Sequence, residues 1–197
     1  MIVTSGVNLM SVWNVDELSK PLFTLPTYRN EICCVSISPS FDLFVSATRD
    51  GYVQFNSIEM QRNINIVEIG ELVPQFVKVT PGWGLVLVYG SMKSTINSDS
   101  NFLILFSSNG HKIRQVEIPP GEALTAIEVY RSCDGFDFAF VATEKGNLYH
   151  FEVFFAKFDK PFYKSPFHIT SMSYIMEQGV LYCTGNDNAI LVVPYSV

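Results

Sequence analysis

Residues 32–58 read ICCVSISPSFDLFVSATRDGYVQFNSI, and this stretch decides the fold. Runs of apolar, β-branched and aromatic residues are separated by a Pro-Ser pair and an Asp-Gly pair. Such runs favour β-strands, and such pairs favour the tight turns that join antiparallel strands. The stretch therefore predicts three antiparallel strands, at 32–38, 43–48 and 51–58.

The same layout recurs along the chain. A small or turn-forming residue opens an apolar run at Gly6, Gly51, Gly146 and Asn188, and less clearly at Asn101. Successive positions are 45, 50, 45 and 42 residues apart, and the polar insert Met92–Asn101 accounts for the longest interval. A period in the forties is typical of the four-stranded blade of a β-propeller.

The repeat divides the chain into five units, of which the first and the last are partial. Their approximate bounds are 1–25, 32–69, 73–118, 124–164 and 169–197. In the first unit we expect a third strand at 7–15 and a fourth at 21–25. No stretch of eleven or more residues keeps the apolar period of a helix. The sequence predicts an all-β protein, a single propeller segment over 1–197 with about four blades.

Incomplete first and last units favour a segment of a larger, seven-bladed ring. The alternative is a closed four-bladed ring, in which strands 7–15 and 188–194 compete for one place and one of them is displaced. A segment of a larger ring is expected to contact other domains of a longer chain and to dissolve poorly by itself.

Composition excludes several classes of protein. Of 197 residues, 48% are hydrophobic and only 16% are charged, which excludes intrinsic disorder. The net charge of −6 leaves no excess of Lys and Arg for binding nucleic acid. Apolar runs such as Trp83–Tyr89 are far shorter than the roughly 20 residues of a membrane-spanning helix, and a signal peptide is not evident. We expect a cytoplasmic protein that is peripheral on membranes through its partners.

The four cysteines, at 33, 34, 133 and 183, are expected to be reduced thiols. Neighbours on an alternating strand point to opposite faces, so Cys33 and Cys34 should form neither a disulfide nor part of a zinc site. We expect no metal and no cofactor.

With these features in place, the segment 32–58 resembles a blade of the WD-repeat family. Residues 46–51, SATRDG, match the Ser-Gly-Ser-x-Asp-Gly turn of that family, and Val12-Trp13-Asn14 is similar to the strand end that gives the repeat its name. The Gly-His pair that precedes the first strand of typical repeats is missing from every unit, and His168 is a partial match. The resemblance implies a propeller that binds proteins.

A narrower resemblance covers residues 34–46, CVSISPSFDLFVS, which are similar to the C-terminal WD repeats of BEACH-domain proteins of the Beige and neurobeachin type. Those proteins are large scaffolds implicated in vesicle traffic and membrane dynamics. The resemblance implies a non-catalytic scaffold for protein–protein interaction in membrane trafficking. The alternatives are a truncated structural fragment of a larger propeller and an enzyme built on a propeller platform.

Catalytic motifs are missing from the sequence, which has no Gly-x-Ser-x-Gly elbow and no phosphate-binding glycine-rich loop. The three histidines lie far apart, and none has a second ligand at metal spacing. His150 and Glu152 share one face of a strand, which predicts a hydrogen-bonded pair. We expect that the chain is not an enzyme.

The stretch 151–167, FEVFFAKFDKPFYKSPF, carries seven aromatic residues with lysines between them. Alternating aromatic residues favour a core between neighbouring blades, and an exposed partner-binding edge is the alternative. Replacing Phe155 and Phe158 by Ser separates the two, because loss of folding supports a core and loss of partner capture alone supports an interface.

One face of a propeller is lined by the loops that join fourth to first strands and second to third strands. We predict that this face docks a protein partner and that the polar insert Met92–Asn101 adds specificity. The candidate residues for this predicted docking face are Tyr28, Arg29, Arg49, Asp50, Glu122, Lys145, His168 and Asp187.

Overall fold

A computed structural model describes residues 1–6, 9–26, 31–92 and 101–195. Within these ranges the chain forms nineteen β-strands and two short 3-10 turns, with no α-helix. The strands are β1 (Ile2–Gly6), β2 (Leu9–Trp13), β3 (Phe23–Pro26), β4 (Ile32–Ser38), β5 (Leu43–Thr48), β6 (Tyr52–Ser57), β7 (Arg62–Glu68), β8 (Leu72–Val79), β9 (Val86–Met92), β10 (Asn101–Phe106), β11 (Lys112–Glu117), β12 (Leu124–Arg131), β13 (Asp137–Thr143), β14 (Asn147–Glu152), β15 (Lys157–Phe158), β16 (Tyr163–Lys164), β17 (Ile169–Ile175), β18 (Val180–Gly185) and β19 (Ile190–Pro194).

The described strands form five sheets, each of which follows the chain from one strand to its neighbour. The sheets are β1–β3, β4–β7, β8–β11, β12–β16 and β17–β19. In the fourth sheet β15 and β16 both pair with β14, so two short pieces share the place of a fourth strand. The predicted all-β architecture of successive four-stranded units is confirmed.

The expectation that the chain opens in a third strand is wrong. Residues Ile2–Gly6 form β1, an additional strand that pairs antiparallel with β2. Because β1 lies against β4 as β5 lies against β8, β1 occupies the place of a second strand. Its sequence, IVTSG, is short and mostly exposed, so it lacks the long apolar run by which the other second strands are recognised.

The described residues group into two compact units. The first unit comprises 1–79 and 84–115, and the second comprises 80–83 and 116–197. In the first unit, β5 is buried on both sides: Val45 belongs to a cluster with Val77 and Val88, whereas Phe44 packs with Met10. A strand covered on both faces can be apolar throughout, which explains why charge is scarce in this sequence.

The core of the second unit lies between its two sheets. Tyr130 and Phe140 pack with Met172, Leu181 and other buried residues of the facing sheet. Within the described ranges no helix is both long and apolar enough to cross a membrane.

Every first strand of the last four sheets has a β-bulge close to its start. The register shifts lie between Ile32 and Cys34, Pro74 and Phe76, Leu124 and Ala126, and Ile169 and Ser171. A bulge adds one residue to a strand and interrupts the regular alternation of its side chains. Side-chain directions at these positions therefore differ from those of a regular strand.

Candidate functional site

The predicted docking face begins, in the first unit, at the turn between β5 and β6. Arg49 is exposed there, its backbone amide donates to the Glu31 carbonyl at 3.1 Å, and its guanidinium Nε lies 3.5 Å from the Glu31 carboxylate. Asp50 accepts a hydrogen bond from the Thr48 hydroxyl. The predicted residues Tyr28 and Arg29, and the insert 93–100, lie outside the described residues.

In the second unit, the predicted residues lie on loops at one end of the two sheets. Lys145 is exposed beside Gly121, where an added Cβ would lie 3.1 Å from the lysine Nζ. His168 and Asp187 are also exposed, and the His168 carbonyl lies against Gly185 at the end of β18. The structure thus brings the Lys145 turn to the loop before β12, and the loop before β17 to the end of β18.

Glu122 differs from the other predicted residues because it is buried, with 7% of its surface exposed. One carboxylate oxygen accepts hydrogen bonds from the Asn147 side-chain amide at 2.7 Å and from the Tyr149 hydroxyl at 3.3 Å. Burial and the neighbouring carboxylate raise the pKa of Tyr149. These contacts join the loop before β12 to β14, so Glu122 holds the sheet end together.

The half-buried His150 forms a hydrogen-bonded chain in the second unit with Tyr130 and the exposed Asp159. Its Nε2 lies 2.7 Å from the Tyr130 hydroxyl, and its Nδ1 lies 3.4 Å from the Asp159 carboxylate. Burial lowers the pKa of His150 and raises that of Tyr130. Both groups are therefore neutral at pH 7, with Tyr130 donating to Nε2 and the Nδ1 proton directed at Asp159.

The predicted pair of His150 and Glu152 is wrong. The backbone amide of Asp159 donates to the His150 carbonyl at 3.0 Å, which places the Asp159 side chain beside the ring. The ring also stacks on Phe138 with centroids 4.6 Å apart. The histidine thus has its partners across the sheet rather than along its own strand.

A surface cavity of about 290 Å³ opens in the second unit near these rings. Its lining residues are Ser132, Cys133, Tyr174, Met176, Glu177, Gln178, Gly179 and Tyr195. Burial raises the pKa of both lining tyrosines, and the Tyr174 hydroxyl donates to the Tyr195 carbonyl. His150 does not line the cavity, and the described residues contain no group of three His, Cys, Asp or Glu that could hold a metal ion.

Sequence reasoning kept an exposed edge as the alternative for the stretch 151–167, but it missed the exposed cluster in the second unit that Phe154 and Phe155 form with Trp83 and Phe136. The Trp83 ring meets Phe136 edge-to-face at 5.9 Å and Phe154 at 5.4 Å. Phe154 in turn meets Phe155 at 5.0 Å. The four side chains are between 37% and 56% exposed, so the rings contact one another and still face solvent.

A buried carboxylate holds the Trp83 turn in place. Asp137, fully buried at the start of β13, accepts hydrogen bonds from the backbone amides of Gly82 at 2.8 Å and Trp83 at 2.9 Å. In the first unit, Asp42 takes the corresponding place before β5 but accepts from the Ser57 hydroxyl and the Glu59 amide. The same position thus secures a different turn in the two sheets.

The turn after β14 determines which aromatic residues of 151–167 are exposed. Phe151 and Val153 are buried, and Ala156, with a φ of 51°, closes the turn facing inward. Phe154 and Phe155 are left outside at 55% and 56% exposure. The core interpretation therefore holds for Phe151. Phe154 and Phe155 are adjacent and so interrupt the alternation of the stretch, which is the sequence feature that could have indicated their exposure.

Comparisons with known proteins concern the fold. Neither the protein-family models nor the curated proteins give a match. The computationally designed Ika4 protein is similar with a TM-score of 0.64 and 12% identity, over 91% of this chain and 100% of that protein. The Cps50 (Swd1) β-propeller domain of Myceliophteria thermophila has a TM-score of 0.71 and 14% identity, over 96% of this chain and 60% of that domain. Such low identities bear on architecture alone, and they show that this chain has the β-propeller fold.

Proposed function

We propose that this protein is a non-catalytic scaffold that binds a protein partner through the exposed aromatic cluster. The observation that carries the proposal is the position of Trp83, Phe136, Phe154 and Phe155, which touch one another at the surface. Aromatic side chains dominate the binding energy of many interfaces, and contiguous exposed apolar patches mark interaction sites. A turn secured by Asp137 presents Trp83 in a fixed position, which reduces the entropy lost on binding.

The finer proposal is a WD-repeat part of a BEACH-type protein acting in vesicle and membrane trafficking. It is supported by the resemblance of residues 34–46. The 60% of the Swd1 propeller domain that this chain covers supports only the coarser part of the proposal, a segment of a larger propeller. In this proposal residues 1–197 form one propeller segment, located in the cytoplasm and peripheral on membranes through partners. A helical BEACH-like domain encoded upstream in the native reading frame would support the proposal, and a different upstream domain would contradict it.

The binding proposal is tested with two matched variants. Phe154→Ser with Phe155→Ser removes exposed rings from the turn after β14, whereas Met60→Ser changes an apolar residue that is 62% exposed in the corresponding turn after β6. A partner captured from cell extract by the wild-type chain is identified, purified and titrated against each variant. We expect the double phenylalanine variant to weaken binding at least about tenfold, since hot-spot aromatics contribute about 2 kcal/mol or more, while Met60→Ser binds as wild type.

The predicted docking face is the competing surface. A variant in which Arg49 and Tyr28 are both substituted tests the predicted docking face in the same titration. Loss of binding in this variant, with unchanged binding in the phenylalanine variant, would move the partner site to the predicted docking face. Turnover of a substrate in the cavity beside Cys133 and Tyr174 would instead support the enzyme alternative.

A further inference from the structure

Two adjacent thiols lie side by side on β4. The Sγ atoms of Cys33 and Cys34 are 3.9 Å apart, and both residues are free thiols. On a regular strand these side chains would point to opposite faces, as the sequence predicted. That prediction is wrong because Cys33 is the extra residue of the bulge between Ile32 and Cys34, and the bulge turns both side chains toward the same place.

The two thiols differ in exposure and in the direction of their pKa shifts. Cys33 is exposed, whereas Cys34 is partly buried. The hydrogen bond from Cys34 lowers the pKa of Cys33, aided by the nearby charge of Arg49, while the same hydrogen bond and burial raise the pKa of Cys34. Cys33 is thus suited to attack as the thiolate, and Cys34 is suited to remain a protonated thiol until the second step.

We propose that Cys33 and Cys34 form a reversible oxidation site that hydrogen peroxide converts into a disulfide between neighbouring residues. In the first step the Cys33 sulfur attacks peroxide: an S–O bond forms, the O–O bond breaks, and hydroxide leaves and takes up a proton to become water. In the second step the Cys34 sulfur attacks the sulfenic acid: an S–S bond forms, the S–O bond breaks, and a second water leaves. The two thiols lose two electrons and two protons, and the peroxide is reduced to two waters.

Geometry predicts that this disulfide is easily reduced. The Cα atoms of neighbouring residues are about 3.8 Å apart across a trans peptide, below the roughly 4.4–6.8 Å that disulfides usually span. A strained disulfide has a higher reduction potential than a relaxed one, so a thiol reductant restores the pair. Oxidation also removes the Cys33 thiol from the Pro74 carbonyl, 3.1 Å away on β8, and so changes a contact between two sheets.

The test uses the full chain, in which Cys133 is the internal control because it is an exposed free thiol far in the sequence from the other cysteines, at 33, 34 and 183. Trypsin cleavage after Arg29 and Arg49 yields one peptide that carries both Cys33 and Cys34. After limiting hydrogen peroxide and alkylation, we expect that peptide to lose about 2 Da and both alkylation sites. Dithiothreitol should restore both sites, and Cys133 should react at least about tenfold more slowly.

A Cys34→Ser variant should stop at the sulfenic acid on Cys33, which dimedone traps. Faster oxidation of Cys133 than of Cys33, a disulfide between two chains, or direct conversion of wild-type Cys33 to sulfinic acid would each overturn the proposal. The wild-type mass measurement needs no variant, so a folding defect in Cys34→Ser would leave the test intact.

Discussion

At the scale of single residues, two polar side chains in the second unit, Asp137 and His150, have dedicated hydrogen-bond partners. Asp137 is fully buried and receives two backbone amides, and His150 lies between Tyr130 and Asp159. Buried polar atoms cost free energy unless they are hydrogen-bonded, and these contacts offset that cost. Each group is therefore a point at which one substitution should have a measurable and specific effect.

His150 should make the folded state sensitive to mild acid. Burial lowers the pKa of His150 below the ordinary 6.5, so the unfolded chain takes up this proton at a higher pH than the folded protein does. The unfolded state then binds more protons as the pH falls through about 6.5, and the free energy of unfolding decreases. Asp159 and Glu152 reduce the shift but do not reverse it.

Urea unfolding of wild type and His150→Gln at pH 8 and pH 5.5 measures this effect. We expect the wild type to lose more stability than the variant over this interval, since Gln does not titrate. An equal loss in both proteins would contradict the assignment of a neutral His150.

Substituting Asp137 should both lower the free energy of unfolding and change the surroundings of Trp83. Asp137→Ala removes the acceptor of two backbone amides, and we expect the free energy of unfolding to fall by about 2–4 kcal/mol. Asp137→Asn keeps one carbonyl oxygen and should lose less. In a Trp13→Phe background the Trp83 emission should shift to the red in Asp137→Ala, and unchanged emission and stability would show that other contacts hold the turn.

At the scale of elements, two of the described turns between a second and a third strand depend on glycine. Gly51 has a φ of 96°, and a Cβ there would lie 2.7 Å from the Gly70 carbonyl oxygen. The same turn in the fourth sheet has Gly146, with a φ of 78° and a Cβ position 2.9 Å from the Ser165 carbonyl oxygen. Both glycines allow the turn to approach the loop that leads to the next sheet.

Alanine substitutions should separate strain from steric clash. Gly70 has a φ of 74° and open space around its Cβ position, so Gly70→Ala should cost about 1 kcal/mol from the left-handed backbone alone. Gly51→Ala adds a clash with backbone and should cost clearly more. Urea midpoints of the two variants provide the comparison, and equal midpoints would show that the loop after β7 moves freely to accommodate the methyl group.

The strands were largely predictable because they depend on local patterns. The bounds of β4 and β5 agree with those expected from the run ICCVSIS, from the apolar run after it and from the turn pairs beside them. Strand β1 was missed because IVTSG has few apolar residues. A pattern of alternating residues also gives no sign of a bulge, so the proximity of Cys33 and Cys34 could not be derived from it.

The candidate surfaces were less predictable than the strands. Placing Arg49, Lys145, His168 and Asp187 on exposed loops required only the order of strands. The aromatic cluster required a contact between residues 83 and 154, which are far apart in the sequence. From the sequence, Glu122 is expected to be a surface carboxylate. It is buried because it contacts Asn147 and Tyr149 on β14, which the sequence pattern does not indicate.

At the scale of the whole molecule, the last sheet carries a group of exposed apolar side chains. Around the last sheet, Ile175, Met176, Ile190 and Val192 are exposed by 36% to 68%. Leu191 and Val193, which alternate with the exposed pair on β19, face the core of the second unit. In the first sheet, by contrast, a Thr4, Ser11 and Thr24 row makes the outer face more polar.

The outer face of β19 should drive self-association of the isolated chain. Ile190 and Val192 are 68% and 51% exposed on one strand, and burying such side chains contributes about 25 cal/mol per Å². We expect the hydrodynamic radius of the wild type to rise with concentration, and Ile190→Thr with Val192→Lys to restore a compact 22.2 kDa monomer. The matched control, Ile64→Thr with Ile113→Thr, changes side chains that are 47% and 52% exposed on β7 and β11 and should leave association unchanged. In a propeller, neighbouring blades cover the faces of each sheet. A wild-type chain that stays monomeric at high concentration would therefore contradict the inference that the exposed face of the last sheet packs against another sheet.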